Sequence, residues 1–184
     1  ERDLADSLRI YQDIGDTASE VEALAGLSAL YAVSGRVGEA IKYSLDAADR
    51  CARLDGPVYE GGAGYYRAYA AFLDRRFRDS RSFLESALHI LSGVENSTPR
   101  LKCLVLLGEV VFSMGDFEGS AQILEQLQSH WQRRGAKGAE ARGLALLGDN
   151  RAELGEPDRA ISSWLSAETL VAEVGDDHRL YRIR

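Results

Sequence analysis

Positions forty residues apart carry the same kind of side chain along the length of this chain. Leu107-Gly108 is followed by Leu147-Gly148. Ala40, Ser80, Ser120 and Ala160 form a column of small residues, and Ala47, Ala87, Leu127 and Ala167 form another. Gly115 and Gly155 make a third column, which Gly35 joins eighty residues before Gly115. A fixed period of this size comes from stacked supersecondary units, each unable to bury its apolar face alone. The repeat therefore predicts a solenoid, and a solenoid predicts a binding scaffold rather than a catalytic pocket.

Within one period the pattern is helical. Leu24, Leu27, Leu30 and Tyr31 recur at spacings of three and four, which marks one face of an amphipathic helix. Ser34-Gly35-Arg36 breaks it, and a second run from near Val37 carries Ala40, Ile41, Ser44, Ala47 and Ala48 on its packing side before ending around Leu54-Asp55-Gly56. Each unit is thus a helical hairpin. The frame predicts a partial unit over 1–16, full units over 17–56, 57–96, 97–136 and 137–176, and the start of another over 177–184. The third unit is the clearest, with Pro99 suited to the first turn of its helix and Thr98 to the cap before it. The second is degenerate, because Arg67 and Arg75 replace the expected Leu and Gly. Arg67 and Arg151, in the Leu27 and Tyr31 columns, are expected to put guanidinium groups near a core seam, or else to shift the local register. A chain that opens on Glu1-Arg2-Asp3 and stops mid-unit reads as an excerpt of a longer protein.

Composition narrows the partner. The chain has 184 residues, 45% of them hydrophobic, and a formal net charge of −7. An acidic chain without a long basic run argues against nucleic acid and against an anionic membrane surface. The one basic cluster, Arg75-Arg76-Phe77-Arg78, reads as a solvated turn between helices. No apolar run approaches the roughly 20 residues that span a bilayer. Cys51 and Cys103 fall in different columns, so both are expected as free thiols in a reducing compartment, which points to the cytoplasm.

The columns resemble the tetratricopeptide repeat (TPR). Its order of Leu-Gly, aromatic, Gly, Ala, aromatic and Ala is visible in Leu27-Ser28, Tyr31, Gly35, Ala40, Tyr43 and Ala47. It recurs in Leu107-Gly108, Gly115, Phe117, Ser120 and Leu127, and in Leu147-Gly148, Gly155, Ala160, Trp164 and Ala167. The common TPR period is 34 residues, so a period of forty lengthens each helix by nearly one turn, roughly 4–5 Å. Long repeats of this kind are similar to those of kinesin light chains and of bacterial regulators that carry a nucleotide-switch ATPase domain. Their helix ends also tend to read Gly-Asp, as Gly15-Asp16 and Gly175-Asp176 do here. The resemblance implies an all-α, right-handed superhelical solenoid of stacked antiparallel hairpins.

It also implies a concave face lined by the first helix of each hairpin. On that face the units contribute Glu22, Ala25, Ala29 and Ala32; Gly62, Tyr65, Tyr69 and Phe72; Lys102, Val105, Glu109 and Phe112; and Arg142, Ala145, Asp149 and Ala152. The expected protein- or peptide-binding groove is made of Tyr65, Tyr69, Phe72, Lys102, Glu109, Phe112, Arg142 and Asp149, with the aromatics as anchors and Lys102 and Arg142 orienting acidic groups. The aromatics could equally pack as ordinary core between successive first helices. The basic and Asn cluster with which some TPRs clamp a C-terminal carboxylate is missing, since Ala25, Ala29, Tyr65, Tyr69, Val105 and Glu109 stand there.

No catalytic residue, metal site or cofactor site is expected. His89, His130 and His178 are isolated from other ligands. Gly61-Gly62-Ala63-Gly64 follows no strand and precedes no Gly-Lys-Ser/Thr, so it reads as close helix packing or a frayed helix start rather than a phosphate loop. The expected function is the sensor or interaction arm of a larger, bacterial signalling protein. The alternatives are a scaffold without a switching role and a regulatory segment attached to an enzyme. Self-association of the fragment through exposed solenoid ends is a further expectation.

Overall fold

The computed structural model describes residues 2–94 and 97–174 of the chain. The expectations for His178, Gly175-Asp176 and the start of a further unit at 177–184 lie outside the described residues. The chain forms two compact units, 1–106 and 107–184. The first holds α1 (Arg2–Ile14), α2 (Thr17–Val33), α3 (Val37–Cys51), α4 (Pro57–Leu73) and α5 (Phe77–Ile90), which ends in a single 3-10 turn, Leu91–Gly93. Helix α6 (Thr98–Ser113) crosses from the first unit into the second. The second unit continues with α7 (Phe117–Arg134), α8 (Lys137–Glu153) and α9 (Pro157–Val174). Each helix from α1 to α5 packs on the next in the first unit, and α7 on α8 and α8 on α9 in the second. There is no strand among the described residues, and no described helix is long and apolar enough to cross a membrane.

Three of the helices end at a glycine of the third column. Gly35, Gly115 and Gly155 take φ values of 74°, 85° and 75°, a left-handed conformation that a residue without a β-carbon adopts cheaply. The amide after each donates to the carbonyl five residues before it: Arg36 N–H to Tyr31 at 2.9 Å, Asp116 to Val111 at 3.2 Å, and Glu156 to Arg151 at 2.8 Å. The Gly-Asp pairs have a two-part logic. Gly15 ends α1, and Asp16 then caps α2 by accepting the Ser19 amide at 3.1 Å; Asp116 likewise caps α7 through the Gly119 amide at 2.9 Å. The cap of α6 falls one residue earlier than the sequence suggests. The Leu101 amide donates to the Ser97 carbonyl at 3.2 Å, so Thr98 is already helical.

Inside each hairpin the small columns bring two backbones together. Ser28 Oγ donates to the Ala40 carbonyl, Ser80 Oγ to that of Ala68, and Ser120 Oγ to that of Gly108, each at 2.8 Å. In the last hairpin Ala160 and Gly148 occupy these columns without a hydroxyl, and the Trp164 ring lies directly over Gly148. The same close approach explains Gly61-Gly62-Ala63-Gly64, which is the interior of α4 and not a loop. A β-carbon on Gly61 would overlap the side chain of Leu91, which is fully buried, and one on Gly64 would lie 2.8 Å from Ala87 Cβ.

The second unit of the repeat departs from the frame in two ways. Arg67 does not reach a seam; it is exposed, because α4 turns Tyr66 and Ala70 inward where α2 buries Leu24 and Leu27. Arg151 does stay half-buried, and its guanidinium is satisfied by Ser163 Oγ at 2.6 Å and Glu125 Oε1 at 3.1 Å. Arg75 keeps the turn without a glycine. Its φ is 59°, the Arg75 amide meets the Phe72 carbonyl at 2.9 Å, and the Arg76 amide meets that of Ala71 at 2.8 Å.

Two substitutions test this packing. Gly61→Ala should destabilise the chain by about 1–3 kcal/mol despite the better helix propensity of alanine, because Leu91 has no room to yield. Arg75→Gly should stabilise it by about 1 kcal/mol by relieving a left-handed arginine. Urea titrations followed by circular dichroism measure both.

Candidate binding surfaces

Helix α4 presents Tyr65, Tyr69 and Phe72 at spacings of four and three, so all three lie along one face; each is half-buried. Tyr65 and Tyr69 stand with ring planes 9° apart and centroids at 6.3 Å. Tyr66 meets Tyr65 edge-on at 5.1 Å. Its own hydroxyl sits deep enough that burial, reinforced by Cys51 and Glu22, drives its pKa well above the phenol range. Lys102 of α6 is exposed and places Nζ 5.8 Å and 6.0 Å from the ring centroids of Tyr65 and Tyr66, within cation–π reach. The base of this group is the cluster of Val21, Leu24, Ala47, Ala48, Cys51, Ala63 and Tyr66, against which Tyr65 packs. Tyr65 is thus fixed at its root and Tyr69 stacks on it, and a fixed ring costs little entropy when a partner lands on it.

Phe72 has a different job. Its ring lies 5.9 Å from that of Phe77, across the turn between α4 and α5. In the second unit Phe112 repeats this contact with Phe117 at 5.3 Å. Both phenylalanines therefore brace hairpin turns. Gly62 is buried and does not line the face.

The charged candidates of the second unit each have a partner within it. Glu109 is 15% exposed and forms an ion pair with Arg142, which is 58% exposed; the contact joins α6 to α8. Asp149 accepts a hydrogen bond from Trp164 Nε1 at 3.1 Å, and the same indole N–H lies 3.2 Å from the Ala145 carbonyl. Partial burial raises the Asp149 pKa above the usual carboxylate range, with the indole donor opposing. Sequence reading missed both Tyr66, masked by the adjacent tyrosine, and the contact of Trp164 with Asp149. The aromatic column that holds Tyr43 and Trp164 was the available signal for the second.

Among the described residues no three His, Cys, Asp or Glu side chains are grouped as metal ligands. His89 is exposed, and His130 is half-buried with its pKa lowered by burial and by Arg134 and Arg133. Cys51 and Cys103 are free and buried, and burial pushes their thiols up to about 11 and about 12. A protonated thiol is a poor nucleophile.

No family model matches the chain, and no curated protein matches it by sequence. Solved structures do. The nearly identical TPR-like repeats of a Podosopora anserina kinesin light chain are 14% identical, with a TM-score of 0.60 over 95% of both chains. MamA is 20% identical, with a TM-score of 0.56 over 94% of this chain and 91% of its own. A Rap protein complexed with Competence and Sporulation Factor is 14% identical with a TM-score of 0.73 over 92% of this chain, which spans 48% of the Rap chain. At such identities the likeness establishes the fold: this chain is an all-α array of TPR-like hairpins.

The Arg142–Glu109 pair is open to solvent on one side, so Arg142→Ala should change stability by less than about 1 kcal/mol and the difference should shrink as salt is raised. Urea midpoints at low and high ionic strength measure it.

Proposed function

We propose that this chain is a non-catalytic module that binds a protein or peptide on the aromatic face of α4. The observation that carries the reading is the near-parallel pair Tyr65 and Tyr69 with Lys102 alongside. Two half-buried rings on a rigid helix offer apolar area with polar tips, the composition found at binding hot spots. Lys102 adds a cation that favours an acidic group on the partner. The surface is rooted in a packed cluster and needs no ordering before it is used.

The second unit offers less, because Phe112 braces a turn and Asp149 holds the Trp164 indole. There Arg142 is already neutralised by Glu109, so a partner carboxylate must displace an internal one. We assign it a weaker role than the tyrosines. The TPR-like fold supports an interaction module, and one structural neighbour, the Rap protein, is itself complexed with Competence and Sporulation Factor. A sensor arm in a larger bacterial signalling protein is the form of this function we favour, in the cytoplasm, where two unpaired thiols persist.

The test is affinity capture from native extract with the wild-type chain and the Tyr65→Ala/Tyr69→Ala variant, together with melting curves of both. The double variant should lose partner affinity by about tenfold or more while its melting midpoint stays close to wild type. Retained binding with a large loss of stability would make these rings core and not contact.

A further inference from the structure

We propose that the turn between α4 and α5 is a second docking surface, which takes an acidic segment of a partner protein through Arg75 and Arg78. The four hairpin turns share one frame, and three of them are ordinary. Residues 34–38 read Ser-Gly-Arg-Val-Gly, 114–118 read Met-Gly-Asp-Phe-Glu, and 154–158 read Leu-Gly-Glu-Pro-Asp. Residues 74–78 read Asp-Arg-Arg-Phe-Arg. In a chain with a net charge of −7, one turn concentrates three arginines where its counterparts carry one arginine or two acids.

Folding does not require them. Arg75 is the only non-glycine among the described residues with a positive φ, and the hydrogen bonds of its turn are those its glycine counterparts make. Glycine would form the same turn without strain, and a local rule broken without structural gain points to use. The arginines also divide their labour. Arg76 is committed internally, with Nε 2.8 Å from Asp74 Oδ2 and Nη1 2.9 Å from Asp79 Oδ2. That uses both acids of the turn. Arg75 and Arg78 are exposed and form no ion pair among the described residues. Two guanidinium forks held a few residues apart suit carboxylates, which they can engage through paired N–H donors. Phe72 and Phe77, packed together at 5.9 Å, stiffen the base of the turn.

A nucleic acid fits less well. Its binding grows with the number of phosphates neutralised, and this turn has two available guanidinium groups flanked by two aspartates on an acidic chain.

The experiment measures fluorescence anisotropy of a fluorescein-labelled oligoglutamate with the intact chain, with unlabelled oligothymidylate as the competitor. Arg75→Gly should weaken oligoglutamate binding by about threefold while raising the melting midpoint, and Arg75→Gly/Arg78→Gln should weaken it by about tenfold. Arg81→Gln removes an equal charge from α5 at a residue paired with Glu85, and should leave affinity within about twofold. Absence of oligoglutamate binding, tighter binding of oligothymidylate, or an equal loss in Arg81→Gln would each overturn the proposal. So would a lowered melting midpoint in Arg75→Gly.

Discussion

The rest of this fold depends on how closely two helix backbones approach within a hairpin. A serine hydroxyl can donate to a carbonyl of the facing helix at 2.8 Å only if nothing larger than serine stands between them, and Ser28, Ser80 and Ser120 each do so. Ala40, Ser80, Ser120 and Ala160 are at most 1% exposed. Each such bond contributes on the order of 1 kcal/mol net. The larger effect is steric, because the contact forbids bulky residues along a whole column and so fixes the period that the sequence displays. Where no hydroxyl is available, as at Ala160, a tryptophan laid on Gly148 fills the same space.

That packing rule decides what is left for function. Small residues let α4 approach its neighbours on both sides, with Gly64 against Ala87 of α5, Gly61 under Leu91 in the turn that follows, and Gly62 beside Cys51 of α3. Tyr65 and Tyr69 then fall on the remaining face, half-buried, with Tyr65 packed against the core cluster and Tyr69 stacked on Tyr65. The same helix ends in a turn that tolerates Arg75 because its geometry is held by the Phe72 and Ala71 carbonyls and not by the side chain. A helix that departs from the repeat consensus can still keep the repeat's backbone.

Much of this was legible before any coordinates, because a column repeated four times needs no knowledge of what it touches. The hairpins and the glycine stops follow from spacing, whereas Gly61-Gly62-Ala63-Gly64 alone reads as either close helix packing or a frayed helix start. What spacing could not resolve was the rotation of individual helices. Arg67 is exposed and Tyr66 buried because α4 turns a different stripe inward, and that turn is set by Leu91 and Ala87, thirty and twenty-three residues beyond Gly61 and Gly64. Asn150 is another case. It is fully buried in the column of Leu30, Ala70 and Val110, and is accommodated because its Nδ2 donates to Ser120 Oγ at 3.0 Å and to the Leu146 carbonyl at 2.8 Å. The Glu109–Arg142 pair joins residues thirty-three apart, on the first helices of successive repeats. Reading one helix at a time leaves both as unpaired groove charges, whereas they neutralise one another.

The aromatic face of α4 is the centre of the functional account, and site-directed photo-crosslinking examines it most directly. A photoreactive phenylalanine analogue is placed at Tyr69 and, separately, at Ser82 on the exposed surface of α5. The account predicts that a partner purified with the wild-type chain crosslinks from position 69 and not from position 82. Crosslinking of that partner from position 82 with none from position 69 would contradict it.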